Sequence, residues 1–195
     1  MKFTSASVLA ATTAVMVSST TAAPVDTKIQ DGEAFTLTPI GSGVPHAKFQ
    51  AANNALYFDT PKQNSSCADI NYATFRLDKG SLFLYAEKPS QQIVVDRSGM
   101  GQGIIQYTTG AQPIGRNQQR GPFGFDKEGS LKFLGQGQQL DEGFLACPNA
   151  FPAGYSVWLG NTGANNPGGN KGCVPVLARP TKVDKPVLCQ YSQGH

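Results

Sequence analysis

The chain has 195 residues, including 22 glycines and 13 prolines, only 15% of it is charged, and the formal net charge is +3. The basic residues are scattered, so the basic face with interleaved aromatic side chains that nucleic-acid binding requires is not visible. We therefore predict no nucleic-acid partner. The length suits one domain with a single sizeable core.

Residues 1–23 have the organisation of a secretory signal peptide. A basic start precedes a short apolar run over residues 6–17, and small residues follow up to Ala23. This order is typical of a cleaved leader, and the apolar part is shorter than the roughly 20 residues that span a bilayer. The sequence therefore predicts a leader over 1–23 and one secreted all-β domain over 24–195, with no membrane segment in the mature form.

Short apolar or alternating segments, separated by Gly, Pro, Asn and Asp, recur along the rest of the chain. No apolar pattern with helical spacing persists, and such regular short segments are typical of all-β proteins. The sequence predicts an antiparallel β-sandwich, Greek-key-like, with long Gly/Asn-rich loops and disulfides. The predicted strands cover residues 34–38, 55–59, 73–77, 81–85, 93–95, 104–108, 130–134, 143–147, 155–159 and 187–191.

Two predicted hairpins, over residues 75–84 and 123–133, share a local pattern. In each, an aspartate (Asp78 or Asp126) is expected to open the turn through side-chain-to-backbone hydrogen bonds. A following glycine supplies the positive φ that the reversal needs.

Three later features are interpreted as structural. Residues 160–172 are predicted to form a long flexible loop between strands, and Arg179, Lys182 and Lys185 are predicted to lie in a solvated loop around a Pro-bounded turn. Trp158 lies on a predicted strand, where such a ring more often faces the core.

The cysteine count predicts two disulfides, because an even number in a secreted chain indicates a disulfide framework. Three pairings are possible, and the sequence does not choose among them. No pair has the CxxC spacing of a redox or zinc site. The four residues are Cys67, Cys147, Cys173 and Cys189.

The tripeptide Asn64-Ser65-Ser66 is an N-glycosylation sequon in a turn-like segment just before Cys67. Behind a predicted signal peptide, this placement predicts an N-glycan on Asn64.

The sequence favours a role without catalysis. The only histidines are His46 and His195, and no GxSxG elbow is present, which disfavours a serine hydrolase. The same shortage of ligands disfavours a zinc site, and no metal or cofactor is predicted. A carbohydrate-binding module is an alternative, because Trp158, Tyr155 or Tyr107 could stack on a sugar ring. A glycan-active hydrolase is the second alternative, since two carboxylates suffice for that chemistry, although most acids here lie in turns.

Four motifs stand out when they are taken together: Phe35-Thr36-Leu37-Thr38, Val94-Val95-Asp96-Arg97-Ser98-Gly99, Gly143-Phe144-Leu145-Ala146-Cys147-Pro148 and Val187-Leu188-Cys189-Gln190-Tyr191-Ser192. With these motifs the chain resembles the phiA-type cell wall protein family of filamentous fungi. The resemblance implies a secreted, wall-associated glycoprotein that is needed for phialide and conidium development, with a role in the stress response and with allergens among its relatives. It implies wall polysaccharides or other wall proteins as partners and no catalytic motif, so that only Asn64 and the four cysteines transfer as residue-level features.

The last residues, 190–195, contain no apolar tail behind a small-residue site. The sequence therefore predicts no GPI anchor, so that association with the wall would be non-covalent or use other cross-links.

Overall fold

The computed structural model describes residue 1 and residues 28–134, 142–148, 150, 153–160 and 162–194. The predicted leader, apart from its first residue, lies outside these ranges. Nine of the ten predicted strands overlap strands of the structure. Within the described ranges the strands are β1 (Ala34–Ile40), β2 (Phe49–Ala52), β3 (Ala55–Phe58), β4 (Phe75–Asp78), β5 (Ser81–Leu84), β6 (Gln91–Asp96), β7 (Ile104–Thr109), β8 (Gln118–Gln119), β9 (Phe123–Phe125), β10 (Leu131–Phe133), β11 (Phe144–Pro148), β12 (Tyr155–Leu159) and β13 (Val174–Lys182).

Eight of these strands form a closed ring of antiparallel pairs, in the order β1, β4, β5, β6, β7, β12, β11, β13 and back to β1. The closing pair runs from Phe35 opposite Lys182 to Ile40 opposite Leu177. The predicted all-β antiparallel class with two disulfides is confirmed. The two layers expected of a sandwich are opposite walls of one continuous sheet.

The core lies inside the ring because alternate residues of each strand point inward. In β5, Leu82 and Leu84 are buried while their neighbours are partly exposed, and β4 repeats the pattern with Phe75 and Leu77. Aromatic rings fill much of the interior, and the rings of Phe35 and Phe75 lie 6.1 Å apart. The largest fully buried side chains are Tyr107, Tyr191, Phe35, Phe49, Phe58, Phe75, Phe133, Leu37, Leu82, Ile93, Ile105 and Leu131.

The hairpin between β9 and β10 has the turn that the sequence predicts. The Ser130 amide donates to Asp126 Oδ1 at 2.7 Å, and Gly129 has a φ of 77°. Because this left-handed conformation is strained for residues with a Cβ, glycine suits the position.

The hairpin between β4 and β5 is built differently from the prediction. Lys79 and Gly80 both have positive φ, of 47° and 79°, as a tight two-residue turn requires. The carboxylate that accepts the Lys79 amide, at 2.9 Å, belongs to Asp31 from a distant segment. The predicted local role of Asp78 is therefore wrong, and this side chain lies 3.8 Å from Arg76 instead.

The longest strand, β13, replaces a predicted solvated loop, and that prediction is wrong for Arg179 and Lys182. The strand contains two prolines, Pro175, which is paired with a β11 residue, and Pro180, which is paired with a β1 residue. At each proline the strand is paired on one side only. Because the other side makes no ladder hydrogen bonds at that position, the missing N–H of proline is tolerated there.

The predicted strand over residues 187–191 is also wrong as a strand. Cys189 and Tyr191 are buried, and Val187 and Leu188 are exposed, but the segment makes a single β-bridge, between Tyr191 and Ser65. Residues 187–194 are here called the C-terminal strap.

The two disulfides join Cys67 to Cys189 and Cys147 to Cys173, which selects one of the three open pairings. The first spans a sequence separation of 122 residues and the second only 26. The long bridge fixes the C-terminal strap to the segment that precedes β4, whereas the short one ties the end of β11 to the start of β13.

Removing each bridge by paired Cys→Ser substitution tests this difference. On the chain-entropy account, the Cys67–Cys189 bridge contributes about 4.9 kcal/mol and the Cys147–Cys173 bridge about 3.5 kcal/mol. We therefore expect C67S/C189S to lower the free energy of unfolding more than C147S/C173S, by about 1.4 kcal/mol. Urea denaturation of both variants measures the difference, and a larger loss from the shorter loop would contradict it.

Candidate functional site

A surface groove of about 760 Å³ is the candidate site. It is lined by residues 143–145, in and before β11, and by residues 175–177 of β13. Residues 163–165 of the loop that joins β12 to β13 also line the groove and are here called its rim. The Cys147–Cys173 bridge holds that loop at its base, because Cys173 both lines the groove and ends the loop.

The lining of the groove combines apolar, amide and basic side chains. Leu177 is 38% exposed and supplies an apolar surface, and Asn165 adds an exposed amide. The Lys132 ammonium also reaches the groove, although it lies 3.8 Å from a carboxylate oxygen of Asp126. No carboxylate lines the groove within the described ranges, so what it offers is hydrogen bonding and apolar contact.

The aromatic side chains considered for sugar stacking are buried or packed against other residues of the protein. Trp158 does not face the core, which corrects the prediction, because the residues on either side of it in β12 point inward. The loop covers its ring so closely that a Cβ on Gly168 would lie 2.5 Å from Trp158 Cη2. Tyr107 is buried, and the Tyr155 ring stacks on Phe58 at 4.8 Å.

One carboxylate, that of Glu142, is fully buried beside the groove. Its Oε1 accepts from Arg97 Nη2 at 2.8 Å, and its Oε2 has no hydrogen-bond partner. Burial raises the pKa of Glu142 above its usual value of 4.5, and the nearby Arg97 guanidinium only partly offsets this. Glycoside hydrolysis uses a second carboxylate, whereas the structure places a cation against this one.

The described ranges contain no cluster of three His, Cys, Asp or Glu side chains that could hold a metal ion. His46 is exposed, and His195 lies outside the described residues. None of the helical segments in those ranges is long and apolar enough to cross a membrane.

The C-terminal strap is held by hydrogen bonds between buried side chains and backbone groups. The Gln91 amide donates to the Tyr191 carbonyl and accepts from the Tyr191 N–H, both at 2.8 Å. The Tyr191 hydroxyl accepts from the Thr74 N–H at 3.1 Å, and the Tyr107 hydroxyl donates to the Ser192 carbonyl. Burial raises the pKa of Tyr191 to about 12, so this hydroxyl stays protonated under ordinary conditions.

The predicted glycosylation sequon lies directly against the strap. The Ser66 N–H donates to the Gln190 carbonyl at 2.8 Å, and the Gln190 N–H donates back to Ser66 Oγ at 2.8 Å. The Asn64 carbonyl accepts from the Ser192 N–H at 2.9 Å. The Asn64 side chain is exposed, and the adjoining Cys67 carries the disulfide to the strap.

Comparison with known proteins gives a consistent result. The family model of PhiA-like secreted proteins matches residues 35–192. A protein of Emericella nidulans named "Cell wall protein phiA" is 41% identical over 197 aligned positions, which cover 98% of this chain and all of the relative. Proteins of the same name from Aspergillus fumigatus and Aspergillus niger are 44% and 37% identical, over 78% and 92% of this chain and 80% and 97% of their own lengths. No solved structure matches significantly.

The buried carboxylate makes stability depend on pH in a definite direction. Because the pKa of Glu142 is raised in the folded protein, the folded chain binds more protons than the unfolded chain between the two pKa values. The contribution of Glu142 to the stability of the folded protein is therefore complete below the ordinary carboxyl pKa. It decreases as the pH rises towards the pKa that this group has in the folded protein.

We expect the Glu142→Gln variant to lack this loss of stability as the pH rises from acid values. Denaturant unfolding of both proteins at a series of pH values measures the difference between them. The matched control is Glu128→Gln, which removes an exposed carboxylate and should leave the pH profile as it is in the wild type. A profile that E142Q does not alter would contradict the assignment.

Proposed function

The chain belongs to the PhiA-like secreted protein family, and on that premise we propose that it is a non-enzymatic structural glycoprotein of the fungal cell wall. It acts in asexual sporulation, during phialide and conidium development, and it protects the wall under stress. The observation that carries the proposal is the match to relatives named as cell wall proteins over nearly the whole chain.

The construction of the protein supports a role by contact rather than by turnover. The ring of paired strands is closed and two disulfides fix its connecting segments. Such cross-links are typical of secreted proteins that must persist outside the cell. The proposed leader over residues 1–23 directs export, and the proposed glycan on Asn64 adds a hydrophilic surface that is compatible with the exposure of this side chain.

Wall polysaccharide is the partner that the groove favours, and carbohydrate binding is accordingly the second candidate function. Leu177 provides an apolar surface against which the CH face of a sugar can pack, while Asn165 and Lys132 provide hydrogen-bond donors for hydroxyl groups. The rim of the groove is held by a disulfide-tied loop, which limits the ordering cost of binding.

Deletion of the gene tests the developmental role. We expect malformed phialides and fewer conidia, with recovery when the wild-type gene is restored, and microscopy with conidial counts measures both. Normal phialides and normal conidial numbers in the deletion strain would contradict the proposal.

A hydrolase assay on wall glucan and chitin tests the non-enzymatic assignment separately. We expect no release of reducing sugar above the level of heat-treated protein. Release that the E142Q substitution abolished would contradict the assignment, because this carboxylate is the only fully buried acid among the described residues.

Co-sedimentation with insoluble glucan and chitin tests the groove. Burying a leucine side chain contributes about 1.5–3 kcal/mol, so Leu177→Arg should weaken binding by about tenfold, which corresponds to about 1.4 kcal/mol. The control is Leu188→Arg, since Leu188 is 46% exposed but lies on the C-terminal strap outside the groove. Equal loss in both variants, or no sedimentation of the wild type, would contradict polysaccharide binding in the groove.

A further inference from the structure

The C-terminal strap occupies the backbone of the glycosylation sequon at all three positions. Asn64 gives its carbonyl to the strap, Ser65 forms the β-bridge with Tyr191, and Ser66 uses both its N–H and its hydroxyl in bonds to Gln190. The disulfide from Cys67 to the strap begins one residue after the sequon. The sequon is therefore one side of a small, covalently locked antiparallel pair.

The chemistry of N-glycosylation needs that same backbone and hydroxyl to be free. The transferase forms a bond between Asn64 Nδ2 and the first sugar carbon of a lipid pyrophosphate-linked oligosaccharide. The bond from that carbon to the phosphate oxygen breaks, the lipid pyrophosphate leaves, and the amide nitrogen loses a proton. The third position of the sequon must carry a hydroxyl for the enzyme to recognise the site, and in the folded chain the Ser66 hydroxyl accepts from the Gln190 N–H.

We propose that the C-terminal strap controls glycosylation of Asn64: the sequon accepts a glycan only while the strap is not docked on it, and the Cys67–Cys189 disulfide holds the strap in the docked position. The inference rests on the proposed glycosylation of Asn64 and is independent of the role in sporulation. The exposure of the Asn64 side chain means that a glycan already attached is compatible with the docked strap.

The sequence separation provides time for this order of events. Cys189 follows Cys67 by 122 residues, so at about 5–20 residues per second its synthesis lags that of the sequon by about 6–24 s. During this interval no strap is present to pair with the sequon. Because the sequon is synthesised before the strap, Asn64 can be glycosylated before the strap docks.

A cell-free transfer assay tests the proposal with full mature chain made in a host that does not N-glycosylate. The protein is presented either oxidised and folded or reduced and unfolded to a purified oligosaccharyltransferase with its lipid-linked donor, and mass spectrometry measures occupancy of Asn64. We expect the folded chain to accept glycan at least about tenfold more slowly, which corresponds to about 1.4 kcal/mol in favour of the docked strap.

Two disulfide variants distinguish the effect of releasing the strap from the effect of losing a disulfide elsewhere in the protein. C67S/C189S frees the strap and should restore acceptance at native conditions, whereas C147S/C173S removes the other bridge and should leave the folded chain a poor acceptor. Gln190→Pro provides a further test, because it deletes the N–H that binds Ser66 Oγ but keeps both disulfides. This variant should accept glycan several-fold faster than the wild type.

The outcomes distinguish the two proposals. Equal acceptance by folded and reduced wild type, or equal release by the two disulfide variants, would overturn control by the strap and leave glycosylation of Asn64 intact. Failure of even the reduced chain to accept glycan would overturn both proposals. Slow acceptance by the folded wild type, with recovery in C67S/C189S and Q190P alone, is the result that supports the inference.

Discussion

The pairing of β1 with β13 is the constraint on which the rest of the structure depends. Six consecutive residue pairs join these strands, from Phe35 opposite Lys182 to Ile40 opposite Leu177, and they convert a row of antiparallel strands into a closed ring. Closure gives β1 and β13 partners on both sides and encloses the aromatic core. It also sets the groove, because β13 passes from β11 to β1 within a few residues and Leu177 stands at that change of partner.

Buried glutamine side chains form hydrogen bonds to the backbone of segments that are not regular strands. Gln91 forms two hydrogen bonds with the backbone of Tyr191, as a neighbouring strand would. Gln50 similarly binds the Thr60 carbonyl, amide and hydroxyl. An amide side chain carries one acceptor and two donors, so it can replace a peptide group without the regular geometry of a strand. The Gln91 contacts hold the irregular strap against β6.

The elements with strong local patterns could be predicted from the sequence, and those that depend on tertiary contacts could not. Alternation marked β5 clearly, and the glycine turn near Asp126 followed from residue chemistry alone. In contrast, the prolines of β13 argued against a strand in the sequence. The strand tolerates them because it is paired on one side only at each of these positions. The outward placement of Trp158 depends on a tertiary contact, because residues of the loop after β12 lie against the ring.

The groove and the disulfide pairing lacked a local signal altogether. Leu177, Asn165 and Lys132 come from separate parts of the chain, and each is unremarkable by itself. Glu142 lies in an Asp-Glu-Gly sequence that is typical of a turn, so its burial against Arg97 is a property of the assembled sheet. The pairing of four cysteines likewise depends on which segments the closed ring brings together.

The strands that lie off the ring and pair with a single neighbour in the described chain are β2, β8 and β9, with four, two and three residues. Unpaired strand edges are templates for fibril growth, and short edges offer little backbone for it. Many copies crowded into one matrix therefore have few places at which to recruit each other into cross-β aggregates.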